Sequence, residues 1–115
     1  MYERHQTGKT AEDQALEWFT TKRKATLIAR NFRCRWGEID LIFLDNDELV
    51  FIEVRARASK GWVNGAESVT PAKQRRLKKT ADYFLNSYKG KAKSVRFDLL
   101  AWDGTTWTYI PNLWF

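Results

Sequence analysis

Three carboxylates sit where carboxylates are costly. Glu38 and Asp40 interrupt the apolar run that continues through Leu41-Ile42-Phe43-Leu44, and Glu53 interrupts Leu49-Val50-Phe51-Ile52. Both runs are rich in β-branched and aromatic residues, so they read as strands over Glu38–Leu44 and Leu49–Arg57, paired as a hairpin across Asp45-Asn46-Asp47-Glu48. Alternation along a strand puts Glu38 and Asp40 on one face, with Ile39 and Leu41 on the other, and groups Glu53 with Arg55. A hairpin closing at Asn46 sets Asp40 opposite Ile52, and one residue of register slack brings Asp40 beside Glu53. Neighbouring carboxylates repel and call for a cation, and oxygen donors of this kind suit a hard ion, Mg²⁺ or Mn²⁺. The alternative is a surface ion network in which Glu38 and Glu53 pair with Arg35, Arg55 or Arg57. The acids of the turn lack the spacing and terminal glutamate of a calcium loop, and read as a solvated turn.

The elements that must position these acids can be read on either side. From about Thr10 to Lys24, Ala11, Ala15, Trp18 and Phe19 recur at helical spacing, acids come early, and Lys22-Arg23-Lys24 closes the last turn. A short strand over Thr26–Phe32 and a basic connection, Arg33-Cys34-Arg35-Trp36-Gly37, lead into the hairpin. Residues 58–69 read as a loop carrying Trp62, which either stacks on an unpaired base or pins the loop to the core. Thr70 is an N-cap followed by Pro71 at the first helical position, opening a second helix with the stripe Leu77, Ala81, Phe84, Leu85, Tyr88. Strands over Ser94–Trp102 and Thr106–Ile110 follow, the first carrying Asp98, expected to face solvent. The order α-β-β-β-α-β-β is that of an α/β fold, with a sheet of about five strands flanked by helices. Trp18, Phe19, Phe84 and Leu85 are expected in the core. Cys34 is expected to be a small buried residue, and the apolar end Leu113-Trp114-Phe115 either packs back or forms a dimer contact.

With 115 residues, 43% of them hydrophobic, the chain has the size and composition of one domain, 1–115, with a real core. No apolar stretch reaches the roughly 18 residues a membrane span needs, and the start lacks a signal peptide's apolar region, so a soluble cytoplasmic protein is expected. One cysteine excludes an intramolecular disulfide or a cysteine-rich zinc site, and His5 as the only histidine disfavours histidine triads. Residues 55–96 hold twelve basic residues against Glu67 and Asp82 alone, while the remainder is net acidic. Such a segment attracts polyanions, and a nucleic-acid backbone is the commonest.

The spacing Gly37-Glu38-Ile39-Asp40, twelve intervening residues, then Glu53-Val54-Arg55 resembles the PD-(D/E)xK nuclease signature. Further matches are Gly8 and Ala11-Glu12, Arg30-Asn31-Phe32-Arg33-Cys34-Arg35, and Val69-Thr70-Pro71-Ala72-Lys73-Gln74. Across residues 7–102 the chain resembles the YraN-type family of bacterial proteins, itself similar to archaeal Holliday-junction resolvases. The resemblance implies a restriction-endonuclease-like mixed sheet. Its metal ligands would be Asp40, Glu53, the Val54 carbonyl and Glu12, with Glu38 a supporting or alternate ligand. It implies a Mg²⁺- or Mn²⁺-dependent endonuclease acting on branched or structured DNA, with water as the nucleophile, and a possible homodimer.

One position departs from the signature. Arg55 stands where lysine is expected, and a guanidinium cannot take a proton from water, although it can grip phosphate. Lys73 is expected to bring its ammonium into that role, and Gln74 to position water or phosphate. Arg55, Arg57, Lys60, Lys73, Arg75, Arg76 and Lys79 are the expected nucleic-acid contacts. Two other functions fit the charge pattern: a DNA-binding protein that keeps the fold without turnover, and an interaction module whose basic face meets acidic protein or lipid.

Overall fold

The computed structural model describes residues 10–56 and 70–114. Helix α1, Ala11–Arg23, begins at a capping box in which the Thr10 hydroxyl accepts from the Asp13 N–H and the Asp13 carboxylate accepts from the Thr10 N–H. Lys24 ends it in the left-handed conformation, φ 55°, and turns the chain into the sheet. The strands are β1 (Thr26–Cys34), β2 (Gly37–Asp45), β3 (Glu48–Ala56), β4 (Ser94–Trp102) and β5 (Trp107–Trp114), with α2 (Pro71–Ser87) between β3 and β4. They lie in the order β1-β2-β3-β4-β5, every neighbouring pair antiparallel except β3 and β4. The α/β fold, the five strands and the order α-β-β-β-α-β-β are those expected.

Alternation along β3 sends side chains to two cores. Leu49 and Phe51 join Ile42 and Phe97 beneath Leu77, Ala81 and Phe84 of α2. Val50 and Ile52 join Leu41, Phe43 and Leu100 beneath Ala15 and Phe19 of α1. The helices therefore cover opposite faces of the sheet. Thr70 caps α2 by accepting from the Lys73 N–H, with Pro71 at its first position, as the sequence required. Among the described residues no helix is long and apolar enough to cross a membrane.

Several expectations change. Strand β1 runs on to Cys34, because Phe32↔Ile39, Arg33↔Glu38 and Cys34↔Gly37 still pair, so the basic connection shrinks to Arg35-Trp36. The hairpin closes with Asp45↔Glu48 around Asn46 at φ 59°, which places Leu41, not Asp40, opposite Ile52. Its turn is only partly solvated: Asn46 and Asp47 are exposed, but Asp45 is buried. Strand β5 continues beyond Pro111, and Leu113 packs back against the α2-side core, while Phe115 lies outside the described residues. Asp98, expected in solvent, is fully buried. Cys34 is half-buried, its Sγ accepting from the Trp36 N–H at 3.4 Å. Phe19 and Phe84 are buried as expected, whereas Trp18 and Leu85 are half-buried at the core's margin.

Candidate metal and phosphate site

The β2–β3 ladder stops at Leu41↔Ile52, one residue short of Asp40. There the Asp40 carboxylate does what a strand carbonyl would otherwise do, its Oδ2 accepting from the Val54 N–H at 2.8 Å. The register slack considered for the hairpin is thus realised, and Asp40 reaches across to the residue after Glu53. Strict alternation fails around it, since Ile39 joins the α2-side core and Leu41 the α1-side core. The start of β2 is held against α2 by close approach: a Cβ on Gly37 would stand 3.2 Å from Thr80 Oγ1, and Thr80 is itself fully buried, donating to the Arg76 carbonyl.

Glu53 is 7% exposed and accepts from Lys73 Nζ at 2.8 Å through Oε2. Arg55 Nε lies 3.3 Å from the same oxygen, close enough for charge attraction, but it is buried without a hydrogen bond. Lys73 therefore reaches Glu53 from the first turn of α2, while Arg55 holds a buried donor with no acceptor. Glu12 and Gln74 are half-buried on the first turns of α1 and α2. Glu38 pairs with Arg33 at 3.4 Å. The surface-network alternative is thus met in part, with Arg33 and Lys73 as partners that the sequence had not suggested for it.

Asp40 carries the electrostatic signature of the site. Burial is the largest influence, and repulsion from Glu53, Glu12 and Glu38 adds to it, so that its pKa is pushed up to about 7 against the opposing Val54 N–H bond. The acids named from the sequence thus all bear electrostatically on one carboxyl group. As the side chains stand, no group of three or more His, Cys, Asp or Glu among the described residues is gathered tightly enough to hold a metal. The chemistry of the donors nevertheless fits a hard divalent cation: they are carboxylate oxygens, and an added positive charge would relieve the pressure on Asp40.

Of the expected nucleic-acid contacts, Arg75, Arg76 and Lys79 are exposed on α2, and Lys73 and Arg55 are half-buried beside Glu53. Arg57, Lys60 and Trp62 lie outside the described residues.

The model of the uncharacterised protein family UPF0102 matches residues 11–101 of this sequence. The chain belongs to the UPF0102 family. A UPF0102 protein of Herminiimonas arsenicoxydans is 48% identical over 105 residues, covering 91% of this chain and 83% of its own. One from Ralstonia nicotianae is also 48% identical, covering 86% of this chain and 78% of its own. One from Persephonella marina is 40% identical, covering 91% and 90%. UPF0102 membership accounts for the YraN-type motifs, and the matched span contains Glu12, Asp40, Glu53 and Lys73.

The sequence pointed to these acids but not to a second charged cluster on the same sheet. Asp98 accepts from Arg96 Nε through both oxygens, at 3.0 and 3.1 Å, from the Tyr109 hydroxyl at 2.5 Å and from the Asn112 N–H at 2.8 Å. Arg96 also reaches Glu48 Oε1 at 2.6 Å and Asp45 Oδ2 at 3.3 Å, and Arg23 reaches Asp45 at 3.0 Å. Although burial works against its charge, hydrogen bonds to Asp98 and Tyr109 hold Arg96 protonated well above the ordinary range. The Tyr109 hydroxyl is pushed up to about 12, by burial first and then by Asp98. The available signal was a lone aspartate inside Phe97-Asp98-Leu99-Leu100, two residues from Arg96.

Proposed function

We propose that this protein is a Mg²⁺- or Mn²⁺-dependent endonuclease acting on branched or otherwise structured DNA. The observation carrying this reading is the reach of Asp40 across to the strand of Glu53, its Oδ2 accepting from the Val54 N–H at 2.8 Å, with Glu53, Glu12 and Glu38 adding repulsion at this half-buried carboxyl. Asp40 and Glu53 would hold the ion, with the Val54 carbonyl and Glu12 completing the set and Glu38 in support. When bound, the ion supplies an acidified water and offsets charge gathering on the phosphate oxygens.

The remaining work falls to cations of the chain. Arg55 cannot accept a proton, but the accessible part of its half-buried guanidinium can donate to a phosphate oxygen. Lys73, 2.8 Å from Glu53, supplies the ammonium that the nuclease signature places after the second acid, and Gln74 beside it orients water or phosphate. Exposed Arg75, Arg76 and Lys79 extend the positive surface along α2 toward the flanking backbone. Cytoplasmic residence and a homodimer, which would present two sites to the two symmetric strands of a junction, belong to the same reading.

The test is purified protein mixed with labelled four-way junction, flap and duplex DNA in Mn²⁺. Cleavage of at least one substrate is expected, abolished by Asp40→Ala or Glu53→Ala, and cleavage surviving both substitutions contradicts the assignment. The double hold on Glu53 by Lys73 and Arg55 favours one other reading, a DNA-binding protein without turnover. That reading predicts steeply salt-dependent binding with no products at any metal concentration.

A further inference from the structure

Trp36 lies in the two-residue turn between β1 and β2, and two cations converge on its ring. The Arg35 guanidinium carbon is 4.8 Å from the ring centroid, and Lys79 Nζ, reaching over from α2, is 4.4 Å from it. The close approach of Gly37 to Thr80, the residue after Lys79, makes this meeting possible, since it seats the turn against the helix beside Lys79. The indole attracts each cation but cannot cancel the repulsion between them. Among the described residues neither Arg35 nor Lys79 pairs with a carboxylate, and both are exposed. Arg76, also exposed, lies on the helix between Lys79 and Lys73. Two like charges assembled on one ring, with no carboxylate partner among the described residues, form a site for an anion.

From this arrangement we infer that Arg35, Trp36 and Lys79 form a second phosphate-binding station, which grips the backbone of duplex DNA to one side of the Asp40–Glu53 site. The inference rests on the proposed nuclease reading for its ligand, and it adds the surface that sets the path of the substrate. Lys79 lies six residues after Lys73, about 9 Å along a helix rising about 1.5 Å per residue. The station therefore meets backbone phosphate to one side of the one held at Lys73 and Arg55. With Arg35 and Lys79 against its ring, Trp36 serves as a support for cations, not as a stacking surface for an unpaired base, which favours contact with duplex backbone.

Binding of a fluorescein-labelled 24-base-pair duplex, followed by anisotropy in EDTA across a salt series, tests this without any contribution from a bound ion. The variant Arg35→Gln/Lys79→Gln is expected to bind about tenfold or more weakly, and the slope of log affinity against log salt should fall by about two. Lys22→Gln/Lys24→Gln loses the same charge from exposed positions at the end of α1 and is expected to keep wild-type affinity and slope. Equal affinity and slope in the Arg35/Lys79 variant overturn the inference even if the protein cuts DNA. Equal losses in the two variants overturn it too, because net charge would then explain both. A wild-type protein that cuts DNA in Mn²⁺ while the inference fails leaves the nuclease reading standing. If Mn²⁺-dependent cleavage is absent while the expected losses occur, that reading fails and the station stands.

Discussion

Two clusters of buried charge share this sheet, and they are balanced differently. Around Arg96, three carboxylates, Asp45, Glu48 and Asp98, meet two guanidinium groups and the Tyr109 hydroxyl, and fully buried Asp98 also accepts from the Asn112 N–H. Around Asp40, the acids Glu12, Glu38 and Glu53 press on a carboxyl whose only hydrogen bond among the described residues is to the Val54 N–H, while Lys73 and Arg55 attend to Glu53. The first arrangement satisfies its charges internally and ties β4 to β3 and β5. The second leaves Asp40 without a cationic partner among the described residues, the charge that the proposed ion would supply. Burial alone therefore does not distinguish a structural acid from a functional one; the balance of the charges around it does.

The sharpest way to break this contrast is Asp98→Ala, which takes from Arg96 its fully buried partner, leaving it only Glu48 and Asp45, and leaves the Tyr109 hydroxyl and the Asn112 N–H without their acceptor. A loss of about 3–5 kcal/mol in urea unfolding is expected, the scale for removing one partner of a buried ion pair. A loss below about 1 kcal/mol would show that water compensates the cluster. Next in size is Tyr109→Phe, which removes the hydroxyl bonded to both Asp98 and Arg96 and should cost about 1–3 kcal/mol by the same measurement.

Asp40 should respond in the opposite sense. Its folded pKa of about 7 lies above the ordinary 3.8, so between those values the folded chain keeps a proton that the unfolded chain has released. Metal-free stability must therefore fall as pH rises through that window, and the loss is complete above it. Asp40→Asn is expected to flatten this pH dependence and to stabilise the metal-free protein at pH 8 by on the order of 1–2 kcal/mol. Thermal unfolding from pH 4 to 8 checks it, and parallel curves for variant and wild type would remove Asp40 as the focus of strain. The smallest effect belongs to Glu38→Gln, which loses an exposed pair with Arg33 while easing repulsion at Asp40. A change within about 0.5 kcal/mol is expected from urea unfolding.

Much of the Asp40 cluster was legible because its acids break apolar strand patterns, and a carboxylate inside a β-rich run must have a reason to be there. The order of elements followed from helical spacing at Ala15 and Phe19, the Thr70-Pro71 start and the two-residue alternation of β3. What the pattern could not supply was register. Asp40 opposite Ile52 and Asp40 beyond it differ by one residue in a turn whose acids serve either closure. Alternation also assumes an unbroken ladder, and it failed where Asp40 replaces a ladder hydrogen bond with its own carboxylate. Asp98 was misread for a different reason: its partners Arg96, Tyr109 and Asn112 include residues from another strand, and no local rule reveals a charge satisfied across a sheet. Lys73 was a candidate through its place in the motif opening α2, which the resemblance to the YraN-type family supplied, and the Thr70 cap with Pro71 fixes where that helix begins.

The most direct measurement is calorimetric titration of Mn²⁺ into the protein at pH 8, with Asp40→Asn, Glu53→Gln and Tyr109→Phe alongside. One ion per chain is expected for the wild type and for Tyr109→Phe, with binding lost in Asp40→Asn and Glu53→Gln. A wild type that takes up no Mn²⁺, or an Asp40→Asn variant that binds it as tightly, would contradict the assignment of this cluster as the metal site.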